Sequence, residues 1–306
     1  MRILITGATG LVGSEIVSIL KQTNTEIHFL STSKDKLSGD NRIKGFYWDP
    51  QGGIMDENAL IGVDAIIHLA GASIDHRWTE AYKQEIIESR VFSTNLLYTT
   101  LKHNPHQVTQ IVAASAIGIY PDSLSKVYTE ASQSRAEDFL GHVVVKWENG
   151  LDKFSRIGIK VCKLRTGLVL SDKGGALPQM AKPVKLGLGA AFGSGKQIQS
   201  WIHISDLARM YLFALTNQLE GVYNAVAPNP VSNQDLTRSI ANVLSKNIIL
   251  PNVPKFAMKI ALGEMHQLLF TGQFVSSDKI SETGFNFQFS DINDALRDLL
   301  QQKSLA

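Results

Sequence analysis

Several things are scarce in this chain, and each shortage narrows its class. A single cysteine, Cys162, stands among 306 residues. An internal disulfide framework is therefore impossible, and a reducing compartment is expected. That cysteine lies in the apolar run 161–164 and reads as core rather than as a reactive thiol. No apolar run reaches the ~18 residues that a membrane helix needs. Strand-like sequence starts at Arg2, which leaves no room for a signal peptide, so a cytoplasmic protein without a membrane partner is expected. Charge imbalance is also small. The formal net charge is +2, the lysines and arginines are scattered, and no basic arm calls for nucleic acid. There is no internal repeat, no low-complexity tract and no expected metal site. With 44% hydrophobic and 19% charged residues, the chain has the composition of an ordinary globular protein with an ample core.

What is present begins at residue 1, with MRILITGATGLVG. A short apolar run leads into Gly7, Gly10 and Gly13 and then into a helix-like segment, 14–21. In a dinucleotide site the first glycine allows a tight turn off the strand, the second lets backbone approach a pyrophosphate, and the third lets helix and strand pack closely. The helix that follows points its free N–H groups and positive dipole end at the phosphates. The spacing is G-x-x-G-x-x-G, and strand–turn–helix context separates it from three ordinary turn glycines. Residues 7–13 are thus expected to bind a nucleotide cofactor, with Thr9, Leu11 and Val12 contributing beside the glycines.

Short strand-like runs alternate with helical segments through the first half: 2–6, 26–30, 45–48, 65–70, 110–115 and 160–164, with a long helix over about 79–103. Such alternation implies an α/β fold, a Rossmann-type doubly wound parallel sheet covered on both faces. Ligands bind such sheets outside the carboxyl ends of the strands, where strand order reverses. The expected dinucleotide domain is 1–165, with a return of the chain near 200–225. A smaller C-terminal substrate domain is expected over 166–306. Residues 174–195 read as irregular, exposed connection, and the last ~60 residues as helices over 233–244, 255–269 and 292–300.

With GATGLVG, IIHLAG at 66–71 and AASAIG at 113–118, the chain resembles the extended short-chain dehydrogenase/reductases, which include nucleotide-sugar epimerases and dehydratases. HRWTEAYKQEIIESRV at 76–91, GGALPQM at 174–180, SWIHISDLA at 200–208, YNAVAPNPVSN at 223–233 and GFNF at 284–287 are similar to one branch, the "epimerase family" with a C-terminal domain of unknown function. The resemblance spans nearly the whole chain. It implies a smaller domain closing a cleft over the cofactor and is compatible with a homodimer; it supplies no substrate.

Cofactor choice is expected at the end of the second strand, where NAD enzymes place an acid for the ribose 2′-hydroxyl. Here Ser31, Thr32, Ser33 and Lys34 suit a 2′-phosphate, so NADP is favoured over NAD, although the branch usually has arginine near Thr32. Asp49 resembles the superfamily's adenine-binding acid and reads equally as a turn aspartate. Leu69, Ala70 and Gly71 would let backbone lie against the cofactor, while His68 reads as a core histidine.

The superfamily's catalytic serine corresponds to Ser115. Its Tyr-x-x-x-Lys pair does not appear: aligning Glu148 with the usual downstream glutamate puts Leu140 and Val144 at those positions. Lys146 lies two residues off register and faces elsewhere on a helix. Tyr120 and His203 are the substitutes considered for proton transfer, with Tyr120 equally readable as a packed aromatic. The diphosphate-gripping arginine of nucleotide-sugar enzymes is replaced by Gln199 and Ser200, with Lys196 nearby. Arg77, Trp78, Arg90, Arg165, Lys196 and Trp201 are candidate cleft residues, the tryptophans reading equally as interdomain core. Two functions remain open: an NADP-dependent oxidoreductase or epimerase on a small polar, sugar-like substrate, and an NADP(H)-binding sensor or scaffold without turnover.

Overall fold

Ile3, Leu4 and Ile5 are wholly inaccessible, because the first strand lies deep inside an eight-stranded sheet. The computed structural model describes residues 1–37 and 42–301. Its strands are Arg2–Thr6 (β1), Glu26–Ser31 (β2), Ile43–Asp49 (β3), Ile54–Met55 (β4), Ala65–His68 (β5), Gln110–Ala116 (β6), Val127–Tyr128 (β7), Lys160–Thr166 (β8), Leu168–Leu170 (β9), Ile198–Gln199 (β10), Trp201–His203 (β11), Gly221–Ala225 (β12), Val231–Ser232 (β13) and Phe274–Val275 (β14). The helices are Leu11–Leu20 (α1), Glu80–His103 (α2), Phe139–Leu151 (α3), Ala176–Lys185 (α4), Ile204–Thr216 (α5), Asn233–Val243 (α6), Lys255–Leu262 (α7), Gln267–Phe270 (α8), Asp278–Glu282 (α9) and Ile292–Gln301 (α10).

The sheet order is β12-β8-β6-β5-β1-β2-β3-β4, parallel except for the β3–β4 pair. Alternation along each strand divides the core. Ile3 and Ile5 pack with Ile16 of α1 and Leu207 and Tyr211 of α5. Leu4 points the other way, into a cluster with Leu97 of α2 and Trp147 and Leu151 of α3. Both faces are covered, which is why these strands read as near-continuous apolar runs. Cys162 belongs to the first cluster, and burial pushes its thiol up to about 12, so it is an inert core group.

The strand order reverses about β1: β2 pairs on one side and β5 on the other. The carboxyl ends of β1, β5, β6 and β8 therefore share one edge of the molecule. The C-terminal lobe has its own apolar cluster, in which α10 lays Leu296 and Leu299 with Leu236 and Ile240 of α6.

Two sequence expectations change here. Residues 176–185 form α4 rather than irregular connection. Leu177, Ala181 and Val184 recur on one face and are buried, so tertiary packing overrides the surrounding glycines and Pro183. The helix expected over 255–269 is interrupted at Gly263, whose φ is +60°, a conformation an α-helix cannot continue through.

Candidate functional site

Gly7 turns the chain off β1 with φ +70°, and the Gly10 amide donates to its carbonyl at 3.0 Å. A Cβ on Gly13 would stand 2.2 Å from that same oxygen, so no larger residue fits where α1 crosses the turn. Gly10 is exposed and caps α1 without any side-chain hydrogen bond. The first-turn amides of α1 are thus left for an external acceptor, and no acid occupies that turn. A diphosphate fits this cradle on charge and on shape. Thr9 is exposed beside it, whereas Leu11 and Val12 pack inward against the C-terminal cluster.

The turn is held from the far side by Thr6. Its hydroxyl accepts from the amides of Leu69 and Ala70, both at 3.0 Å. Its own hydrogen therefore goes to His68 Nδ1 at 2.8 Å, which places the ring hydrogen on Nε2, facing Thr94 Oγ1 at 3.1 Å. His68 is wholly buried, and burial pushes its pKa down to about 4. It is a neutral core group that fastens β1, β5 and α2. Leu69 presents its backbone to Gly7.

At the end of β2, Thr32 and Lys34 are exposed, while Ser31 and Ser33 are half-buried. The Ser31 hydroxyl is engaged locally, donating to the Ser33 carbonyl and accepting its amide, both at 3.1 Å. Lys34 Nζ stands 5.0 Å from the centre of the Tyr47 ring. Asp49 accepts from the amides of Gln51 and Gly52 at 3.1 and 3.0 Å, so its carboxylate closes its own turn.

At the carboxyl end of β6 and just past it, Ser115 and Tyr120 join one buried network. Ser115 donates to Glu148 Oε1 at 2.6 Å. Arg165 grips both Glu148 oxygens at 2.8 Å and donates through Nη1 to the Tyr120 oxygen at 2.9 Å. Tyr120 donates onward to Asn224 Oδ1 at 2.8 Å. Burial opposes ionisation of Glu148, yet Arg165 and Ser115 outweigh it and hold the carboxyl below its usual range. Burial likewise raises the Tyr120 phenol. Arg165 is only 2% exposed, and its fork is filled by chain partners. His203 is engaged elsewhere: its Nδ1 accepts from the Ser205 amide at 3.1 Å, its ring stacks on Phe289, and Nε2 lies 3.2 Å from Asp298.

A cleft of about 220 Å³ opens at the carboxyl ends of β6 and β8, against α3 and the segment around α8. Leu140, Val143, Val144 and Trp147 line one wall. Leu140 and Val144, the positions that the superfamily resemblance assigns to tyrosine and lysine, therefore face this space with apolar side chains. Lys146 is exposed, off that wall. Arg90 of α2 also lines the cleft. Trp78 and Trp201 are core: the indole of Trp78 donates to the Ile74 carbonyl and packs on Phe139, and that of Trp201 donates to the Asn229 carbonyl. Arg77 and Lys196 are exposed and do not line the cleft. A second groove, of about 390 Å³ beside Leu177, Ala181 and Leu299, belongs to the C-terminal lobe. Sequence reasoning used Glu148 only as an alignment mark and passed over its place in the buried network; its signal was an acid on the apolar side of α3.

Sheet order, glycine turn and cleft together define a nucleotide-cofactor protein of the extended short-chain dehydrogenase/reductase class. The chain belongs to the NAD dependent epimerase/dehydratase family, whose model matches residues 3–226, and residues 253–299 match a domain of unknown function, DUF1731. It is 37% identical over 304 residues to an epimerase family protein of Staphylococcus epidermidis, covering 98% of this chain and 99% of that one. A counterpart from Staphylococcus haemolyticus is 38% identical over 301 residues, covering 97% and 98%. Among solved structures, human epimerase family protein SDR39U1 with NADPH superposes with a TM-score of 0.86 at 29% identity, over 99% of this chain and 100% of that one. A UDP-glucuronic acid 4-epimerase from Bacillus cereus, with UDP-glucuronic acid and NAD, reaches 0.77 at 18% identity over 99% and 100%, a likeness of fold. Among the described residues no helix is long and apolar enough to cross a membrane.

Proposed function

We propose that the chain is an NADP(H)-dependent oxidoreductase that reduces a carbonyl of a small substrate held in the cleft beyond β6 and β8. The observation that carries this reading is the open glycine cradle at α1 on the same sheet edge as that cleft. Support for NADP over NAD comes from the end of β2, where residues 31–34 offer hydroxyls and Lys34 and include no carboxylate to repel a 2′-phosphate. The bound cofactor supplies the hydride.

The chain's residues bind and orient. The first turn of α1 takes the diphosphate, the backbone at 69–71 flanks the cofactor, and the apolar wall of Leu140 and Val144 excludes water from one side of the substrate. Neither residue moves a proton. The nascent alkoxide therefore takes its proton from solvent, forgoing the roughly 10²–10⁴-fold that a positioned acid contributes. This favours reduction over epimerisation, which needs a base to take a hydroxyl proton as well as an acid to return one. The largely apolar lining also favours a substrate with an apolar body and a polar end over a sugar with hydroxyls all round.

The test is NADPH binding followed by its fluorescence, then NADPH oxidation across a panel of small aldehydes and ketones. Oxidation driven by one compound class supports the reading. Tight NADPH binding with no oxidation by any member favours the second reading, a cofactor-binding protein without turnover, which the Leu140 and Val144 wall motivates.

A further inference from the structure

Among the described residues Arg90 is a cation without a counter-charge. Its Nη1 donates to the Ile86 carbonyl at 3.0 Å, one turn back in its own helix, and the guanidinium carbon stands 5.1 Å from the centre of the Trp147 ring. Among the described residues no carboxylate lies within ion-pair distance of it, in contrast to Arg165, which Glu148 neutralises. Gly71 makes room for it: a Cβ there would stand 3.1 Å from Arg90 Cγ and Cζ. Burial eases its proton loss, pulling its pKa down to about 10.

The adjoining wall has a second unmet donor. The Trp147 indole N–H is buried and finds no acceptor among the described residues. Both side chains line the cleft, whose other polar lining groups, such as Thr166, Gln199 and Gln273, are uncharged. A half-buried cation with no counter-charge and an idle indole donor destabilise the unliganded protein. A ligand bearing anionic oxygen offsets the first of these directly, because a guanidinium matches an oxyanion with paired, charge-assisted bonds.

We infer that Arg90 is the oxyanion receptor of the cleft and binds a carboxylate on the substrate, whose apolar body then lies along Leu140 and Val144. The inference rests on the proposed placement of substrate in this cleft. The diphosphate of the cofactor offers the same oxyanion chemistry, but none of residues 7–13 lines the space that Arg90 faces.

The test uses the full chain and hexanoate as probe, at constant ionic strength, by calorimetry. NADPH is titrated first, so a protein that fails to bind it overturns the proposed function before hexanoate is added. Hexanoate is then titrated into the NADPH-saturated protein, with 1-hexanol as the uncharged comparison. Hexanoate should bind about 10- to 100-fold more tightly than 1-hexanol, the margin of a charge-assisted bond. Arg90→Gln should erase that margin while NADPH affinity holds, and Arg90→Lys should keep part of it. Loss of NADPH affinity in Arg90→Gln with hexanoate binding intact would assign the receptor to the diphosphate and overturn the substrate carboxylate. Absence of hexanoate binding to wild type, or equal binding to Arg90→Gln, would overturn the receptor itself. A thermal melt guards against a merely structural role: removing an uncompensated cation should leave the midpoint unchanged or raise it by about 2–4 °C, whereas removing a structural arginine lowers it.

Discussion

Arg165 holds Glu148 by two parallel bonds, Nε to Oε1 and Nη2 to Oε2, both at 2.8 Å. The two come from β8 and α3 and are nearly inaccessible, so neither charge has water to fall back on. Glu148→Gln keeps the shape and removes the anion, leaving Arg165 buried without a counter-charge. A loss of about 3–5 kcal/mol is expected in urea unfolding. Ser115→Ala removes one bond from a carboxylate that stays paired and should cost about 1 kcal/mol. Similar stabilities for the two variants would show that the ion pair is not what the network depends on.

The glycine turn separates folding from binding. A Cβ on Gly10 would stand 3.2 Å from the Gly7 oxygen, a tight fit that small shifts relieve, whereas one on Gly13 would stand at 2.2 Å. Gly10→Val should therefore fold and lose NADPH binding, because its methyl groups enter the space left for phosphate. Gly13→Ala should already perturb the fold, lowering the melting midpoint. Circular dichroism together with NADPH titration checks both, and a folded Gly10→Val that binds NADPH normally would remove the cradle from the cofactor site.

At the end of β2, NADP should bind more tightly than NAD. Thr32→Arg should tighten NADP by about tenfold through a charge-assisted contact to the 2′-phosphate and leave NAD nearly unchanged. Competitive titration of the two cofactors reads this directly. Equal affinity for NAD in wild type would reject the assignment.

His68 makes stability depend on pH with a definite sign. Its folded pKa is about 4 against an ordinary value near 6.5, so the unfolded chain binds the extra proton between those two values. The contribution is complete above about pH 6.5 and is lost as pH falls towards 4, amounting to about 3 kcal/mol. Burial shifts His28 and His203 in the same direction, so the wild type should be acid-sensitive in this window. His68→Gln should flatten the dependence, as measured by urea midpoints from pH 7 to 4. An unchanged slope would show that the ring is not the titrating group.

The sequence by itself determined the parts that depend on neighbours in the chain. Gly7, Gly10 and Gly13 sit within one strand–turn–helix unit, and the turn needs them whatever lies elsewhere. The apolar runs within 2–6 and 110–115 announce strands buried on both faces, because alternation with polar residues is missing where helices cover both sides. The Tyr/Lys gap was legible only through the superfamily resemblance, which assigns Leu140 and Val144 to those positions once Glu148 is aligned.

Tertiary structure decided the rest. Nothing in the order of residues says that Arg165 meets Glu148 and not a ligand, or that Arg90 meets no acid among the described residues, since partners far apart in sequence are chosen by how strands and helices stack. The same holds for α4: its glycine-rich surroundings argue against a helix, and only burial of Leu177, Ala181 and Val184 against the C-terminal lobe makes one. Local conformation is set by local sterics, whereas the fate of a charge is set by which groups the fold brings within a few ångströms of it after water has gone.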